Sequence, residues 1–142
     1  MGRKKKYTTE EERKAARKEY YKEYDKARDR KEYFKEYNKT PMGRAVRLVA
    51  KYKQSDKKYN RGECTLTAKW VVDNIFPKPC IYCGESDWKK LGCDRIDNSK
   101  PHTPDNVVPC CEECNKKRHR KPFEEFLNEM QQKMLEEFEN PL

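Results

Sequence analysis

The sequence predicts an α+β, mainly helical protein in which several helices flank a small cross-linked core. Long stretches free of Gly and Pro are rich in helix-forming residues, whereas residues 80–114 are rich in turn residues and cysteine. Hydrophobic residues make up 34% of the chain and charged residues 42%, so a large aliphatic core is not expected. Small domains with little core are usually held together by a metal or by disulfides.

The positive charge of the chain is concentrated in its N-terminal part. Residues 1–62 hold 22 basic and 10 acidic side chains, a balance of +12, and residues 63–142 hold 12 and 15, a balance of −3. A segment this basic attracts polyanions, nucleic acid before membrane. The sequence has neither the run of about 18–20 apolar residues that a membrane span needs nor a signal peptide. An intracellular, cytoplasmic location is therefore expected.

The first helix is expected from Glu10 to about Asn38. Thr9 and Glu12 have the spacing of a capping box, and no Gly or Pro interrupts the stretch. Its apolar side chains are aromatic, because no Leu, Ile or Val precedes Val46. Two interpretations stay open: a solvated helix with many i,i+4 ion pairs, or an arm that lies on nucleic-acid phosphates.

Three further helical patterns follow outside the cysteine-rich region. Thr40 and Pro41 begin the second, which ends near Gly62, and Thr67 caps a short third. A last helix is expected from Pro122 to about Phe138. One face of the second helix and the segment after it is basic and is predicted to contact nucleic acid: Arg44, Arg47, Lys51, Lys58 and Arg61.

Between these helices the pattern predicts a hairpin and a short helix. The strands are expected at Leu91–Ile96 and Asn106–Val108, and the helix from near Cys114 to just before Pro122. The predicted segments are therefore a basic helical arm (1–40), a DNA-contacting helical segment (41–76), a cross-linked core (77–121) and an amphipathic C-terminal helix (122–142).

Two C-x-x-C pairs among the seven cysteines predict one structural zinc ion per chain. The pairs are Cys80 with Cys83, in a first knuckle (80–84), and Cys111 with Cys114, in a second knuckle (111–115). Each supplies two soft ligands to a tetrahedral site, and four thiolates leave no open position for catalysis. Cys110 could replace Cys111 in register, but only Cys111 completes a C-x-x-C pair. Cys64 and Cys93 are expected to be small buried hydrophobes.

Three polar motifs lie between and beside the cysteine pairs. They are Asp94-Arg95-Ile96-Asp97, His102-Thr103-Pro104-Asp105-Asn106, and Cys111 to Asn115. With the cysteines, they resemble the HNH (ββα-metal) endonucleases, in the two-knuckle form common in phage and mobile-element genes. The resemblance covers about residues 77–121. It implies a nuclease that hydrolyses phosphodiester bonds in double-stranded DNA with one divalent ion, Mg²⁺ or Mn²⁺.

The resemblance also implies roles for individual residues. Asp94 and Asn115 would be ligands of the divalent ion, and Asn106 would brace the loop and orient the base. His119, four residues after Asn115, would lie on the same helix face as a further ligand or would contact the DNA backbone. The helix and its end add four basic residues to the predicted DNA contacts: Lys116, Lys117, Arg118 and Arg120.

One position departs from the family pattern. Arg95 occupies the place of the usual general base, and arginine keeps its proton in proteins. We therefore predict that His102 is the base and that Arg95 contacts phosphate and the transition state.

Several alternatives stay open. His102 could be an ordinary loop residue, Asp97 could replace Asp94 as ligand, and Asp105-Asn106 could be turn chemistry alone. The protein could also be a non-catalytic zinc DNA-binding module, or a partner that cuts only within a larger complex. A homodimer is compatible with double-strand cleavage, because one site cuts one strand.

Overall fold

The computed structural model describes residues 6–139, which form two units divided after Tyr37. The predicted segments 1–40 and 122–142 extend beyond the described residues. The mainly helical α+β class is confirmed, since the described chain has five α-helices and one two-stranded sheet. The elements are α1 (Glu10–Tyr37), α2 (Pro41–Lys58), α3 (Ala68–Asn74), β1 (Leu91–Arg95), β2 (Val107–Cys111), α4 (Glu112–Arg118) and α5 (Phe123–Glu139), with a 3-10 turn at Trp88–Lys90.

The first unit consists of α1, and its start has the expected cap. The Glu12 amide donates to the Thr9 hydroxyl (3.2 Å), and the Glu12 carboxylate accepts from the Thr8 amide (2.8 Å). None of the side chains of α1 is buried. Tyr20 and Tyr24 stack one turn apart, with ring centroids separated by 6.4 Å. Such contacts between residues one turn apart stabilise the helix locally.

The second unit is built on α2, α3 and the hairpin. Thr40 and Thr67 accept amide hydrogen bonds from the first turns of α2 and α3, as their N-cap positions predict. The interior combines apolar side chains from α2, α3 and β1 with the buried cysteines. Its main members are Ala45, Val49, Leu66, Val71, Ile75, Phe76, Leu91, Tyr82 and Phe126. Cys64 and Cys93 are buried within it, as expected.

Strand β2 begins later and runs further than the sequence predicts. It pairs antiparallel with β1 from Val107 opposite Arg95 to Cys111 opposite Leu91. Pro109 fits this strand because both strands of a two-stranded sheet are edges, where a missing amide hydrogen is tolerated. On the outer side of β2, the Ile81 amide donates to the Pro109 carbonyl (2.9 Å). This bond attaches the segment around Cys80 to the hairpin.

Helix α5 packs on the unit through its first half only. Phe126 is buried, and Phe123, Leu127 and Met130 pack against the core. Phe138, on the predicted apolar face, is 84% exposed. No described helix combines the length and apolar character needed to cross a bilayer.

Candidate functional site

The sulfur atoms of Cys80, Cys83, Cys111 and Cys114 all lie within 4.8 Å of one another. A tetrahedral zinc site with Zn–S bonds of about 2.3 Å requires sulfur–sulfur separations of about 3.8 Å. The Cys83 and Cys111 sulfurs are 3.6 Å apart, so the donor set fits a metal such as zinc. Cys110 is outside this group, and its thiol donates to the Cys111 carbonyl (3.2 Å). The four-cysteine group that could hold a metal therefore includes Cys111 and not Cys110.

Local backbone geometry places these four sulfurs together. The Gly84 amide donates to the Cys80 carbonyl (2.9 Å), and Gly84 has a φ of +82°, which glycine adopts without strain. On the other side, Cys111 is the N-cap of α4, and its sulfur accepts from the Cys114 amide (3.5 Å). Helix α4 therefore begins two residues earlier than predicted. The cluster joins the first knuckle, strand β2 and α4 at one point.

A cavity of about 250 Å³ lies beside the hairpin and brings four predicted site residues together. Asp94 and Arg95 reach it from β1, His102 from the loop between the strands, and Asn115 from α4. Three predicted DNA-contacting residues also line it: Arg44, Lys51 and Arg61. With Arg95, they give the cavity four cationic side chains, against the carboxylates of Asp94 and Glu112. Such a lining suits an anionic ligand.

His102 is held firmly at the wall of this cavity. Its side chain is buried, and its ring stacks on Tyr52 with the centroids 4.2 Å apart and the planes 12° from parallel. The Tyr52 hydroxyl accepts from the Cys93 amide (2.8 Å), which fixes the stacking partner against β1. Gly92 makes this approach possible, because a Cβ there would lie 2.9 Å from that hydroxyl. The burial and the stacking therefore hold the His102 ring in one orientation.

The Asp56 carboxylate holds the other edge of the His102 ring. Asp56 Oδ2 lies 2.9 Å from ring Nδ1 and accepts from the His102 backbone amide at the same distance. Its Oδ1 accepts from Arg61 Nε (3.0 Å). Burial raises the pKa of Asp56, but the hydrogen bonds from His102 and Arg61 outweigh it, and the pKa is lowered. Burial lowers the pKa of His102 more than the neighbouring Asp56 carboxylate raises it, which favours the neutral imidazole.

Asp94 is buried, and one of its oxygens is already paired. Oδ2 accepts from the Tyr82 hydroxyl (2.5 Å) and from Arg118 Nη1 (2.7 Å). Arg118 is 1% exposed and also donates to the carbonyls of Arg95 and Lys121. The prediction that Arg118 contacts DNA is therefore wrong, because its guanidinium is turned into the protein to neutralise Asp94.

Arg95 and Asn106 organise the loop that carries His102. Arg95 lines the cavity while its Nη1 donates to the Asn98 and Lys100 carbonyls. The side chain of Asn106 is buried. Its Oδ1 accepts from the Asp97 backbone amide (2.9 Å), and its Nδ2 donates to the backbone carbonyls of Asp97 and Pro101. Pro101 directly precedes His102, so this amide fixes the loop at the point where the histidine leaves it.

His119 does not share a helix face with Asn115, and that prediction is wrong. Helix α4 ends at Arg118, and His119 has left-handed backbone geometry with a φ of +51°. Its side chain is exposed and is absent from the lining of the cavity. Asn115 and His119 would share a face only if α4 continued through residue 119, and it ends at Arg118.

The remaining predicted DNA-contacting residues differ in their surroundings. Arg44 donates from Nε and Nη2 to the Leu91 carbonyl (3.1 and 2.9 Å), so part of its guanidinium is used inside the protein. Lys51 is exposed at the cavity. Five others are exposed and lie outside its lining: Arg47, Lys58, Lys116, Lys117 and Arg120.

Three residues outside the predicted site hold its side chains in place. Asp56, Tyr52 and Tyr82 hold His102 or Asp94 but had no predicted role. Asp56 carried one usable signal, since it is the single acidic residue in the otherwise basic stretch 38–62. No family model and no curated protein matches the chain.

Proposed function

We propose that the protein is a metal-dependent DNA endonuclease of the HNH (ββα-metal) type, braced by a structural zinc ion. The observation that carries the proposal is the cavity in which Asp94, Arg95, His102 and Asn115 meet among basic side chains. Hydrolysis of a phosphodiester needs a base, a charge-stabilising group and a means of holding the phosphate. The cavity offers a side chain for each task.

His102 supplies the base. The hydrogen on Nδ1 is donated to the Asp56 carboxylate, so the lone pair of Nε2 would accept from a water in the cavity. One water proton passes to Nε2 as the water oxygen attacks phosphorus; the bond to the 3′ oxygen breaks, and that oxygen takes a proton from solvent. A base of this kind contributes about 10²–10⁴-fold to the rate. Because the pKa of His102 is lowered, the unprotonated imidazole is favoured at neutral pH, and Nε2 is available to accept this proton.

The cationic side chains supply the phosphate contacts. Arg95 lines the cavity and has Nη1 engaged with the loop, and its remaining N–H donors would meet a phosphate oxygen. Lys51 and Arg44 stand on the α2 side of the same space. Exposed Arg47, Lys58, Lys116, Lys117 and Arg120 would extend these contacts along double-stranded DNA.

Asp94 and Asn115 would hold the divalent ion. Tyr82 and Arg118 donate hydrogen bonds to Asp94 Oδ2, so Oδ1 would bind a hard cation such as Mg²⁺ or Mn²⁺. When bound, such an ion supplies positive charge where negative charge develops in the transition state. Two protein ligands make a weak site, so we expect substrate phosphate to complete it. Each site cuts one strand, so a double-strand break would require a homodimer or two successive cuts.

The four cysteines would hold zinc as a structural ion only. All four positions would be taken by thiolates, which leaves no place for water or substrate. Its contribution would be to fix β2 and α4, and thereby Asn115, relative to the first knuckle.

A non-catalytic zinc DNA-binding module is the second candidate. The pairing of Asp94 with Arg118 favours it, because a carboxylate neutralised by a buried arginine attracts a divalent ion less strongly. The basic surface would then bind DNA without cutting it.

Cleavage of supercoiled plasmid distinguishes the two candidates. The proposed nuclease nicks the plasmid with Mg²⁺ and stops when EDTA is added, while the zinc content stays at one per chain. Equal cleavage in both conditions contradicts metal dependence, and DNA binding without cleavage in either supports the second candidate.

Variants of the two histidines locate the base. We expect His102→Ala to lose most activity and His119→Ala, outside the cavity, to retain it. An unchanged rate for His102→Ala removes the base assignment.

A further inference from the structure

The Asp56 carboxylate on α2 is buried beside His102 and Arg61, two residues that line the cavity. It is 1% exposed, and both of its oxygens are used: Oδ2 by His102, 46 residues further along the chain, and Oδ1 by Arg61. A buried carboxylate needs such partners to remain charged. Two of its three contacts go to one histidine, through its backbone amide and its ring.

We propose that Asp56 is a positioning residue that fixes the tautomer and ring orientation of His102, so that Nε2 carries the lone pair that faces the cavity. The proposal rests on the proposed nuclease function. A carboxylate only accepts hydrogen bonds, so Nδ1 at 2.9 Å must carry the hydrogen. In the neutral ring, Nε2 is then the basic nitrogen.

Two further contacts hold the His102 ring and its backbone in place. Tyr52 stacks on its face, and the Asp56 contact to the backbone amide prevents the loop from shifting away from α2. The charged and titratable groups around the ring are Asp56 and Tyr52 from α2, Arg61 after it, and Arg95 from β1. Asp56 is the one anion among them, so it also stabilises the imidazolium formed when Nε2 takes a proton.

The substitution Asp56→Asn tests the role in catalysis. An amide of the same shape can donate to Nδ1 and favour the tautomer with the hydrogen on Nε2. We expect kcat to fall by about 10²–10⁴-fold, the range of a general base, while DNA affinity changes less than about twofold. Removing the anion also moves the acidic limb of the kcat–pH profile to lower pH. Asp73→Asn, at an exposed pair with Lys69 on α3, is the matched control and should leave kcat unchanged.

A double variant separates positioning from a structural role. If Asp56 acts through His102, adding Asp56→Asn to His102→Ala causes no further loss of kcat. An equal loss in both backgrounds overturns the proposal, as does wild-type kcat in Asp56→Asn.

Nitrogen-15 NMR of the imidazole reads the tautomer in the unmodified protein, independently of folding defects in variants and of nuclease activity. The chain has two histidines, so a His119→Gln sample assigns the signals. We expect a hydrogen on Nδ1 of His102, and a hydrogen on Nε2 overturns the proposal. The expected tautomer in a protein that never cleaves DNA contradicts the proposed function instead.

Discussion

Replacing Arg118 with methionine removes a buried positive charge from beside the Asp94 carboxylate. The two side chains meet at 2.7 Å and are 1% and 8% exposed. Arg118 also donates to the backbone carbonyls of Arg95 at the end of β1, of Ile96 just after it, and of Lys121 after α4. Methionine fills much of the same space but donates nothing, so Asp94 keeps only the hydrogen bond from the Tyr82 hydroxyl.

The expected loss of stability is large. Removing one partner of a buried ion pair costs about 3–5 kcal/mol, because the other charge stays buried without compensation. In a unit of about 100 residues, each kcal/mol lowers Tm by about 4–8 °C. Arg118→Met should therefore lower Tm by at least roughly 12 °C. Thermal and urea unfolding followed by circular dichroism measure this loss.

Two further variants test the reasoning. Adding Asp94→Asn removes the uncompensated charge, so the double variant should be less destabilised than the two single losses added together. Arg120→Ala, at an exposed position two residues on, should change stability by less than about 0.5 kcal/mol. If Arg118→Met is as stable as the wild type and instead weakens DNA binding, Arg118 does not form the buried ion pair with Asp94. The prediction from the sequence that Arg118 contacts DNA is then right.

Three other results follow from the site. Cys111→Ser should lose the single bound zinc and Cys110→Ser should keep it, as measured by metal analysis; the reverse outcome would refute the pairing of the knuckles. Stability should fall as pH drops below 6.5, the unfolded pKa of His102, because the folded pKa is lower and the unfolded chain binds the proton more readily. The lowered pKa of Asp56 adds a further loss below pH 3.8. Urea unfolding from about pH 3 to 7.5 measures both losses, and the loss below pH 6.5 should shrink in His102→Gln but not when His119 is replaced. Gly92→Ala should cost about 1–3 kcal/mol in urea unfolding, because the new methyl would meet a tyrosine hydroxyl at 2.9 Å; wild-type stability would mean that the hydroxyl is free to move.

The helices and the cysteine group could be predicted because their signals are local. Thr40 and Thr67 cap α2 and α3 through bonds to residues three positions along the chain. The C-x-x-C spacing likewise places two sulfurs at a time. The end of β2 was harder to predict, because proline normally indicates a turn. Pro109 is tolerated in this strand because β2 is an edge strand of a two-stranded sheet.

The supporting residues of the site could not be predicted in the same way, because their contacts are made only by the fold. Asp56 and His102 are 46 residues apart, and no periodicity links them. Arg118 was hidden in a run of basic residues that indicates a solvated surface. It lies four residues after the buried Cys114, on the same face of α4, and this spacing was the available sign that it turns inward.

A crystal structure with a short DNA duplex and Mn²⁺ would test most directly whether phosphodiester cleavage takes place in the cavity. The account predicts a backbone phosphate beside Arg95 and His102, with the anomalous signal of manganese next to Asp94 and Asn115 and that of zinc among the four cysteines. DNA bound on another surface, or a phosphate in the cavity with no manganese beside Asp94, would contradict it.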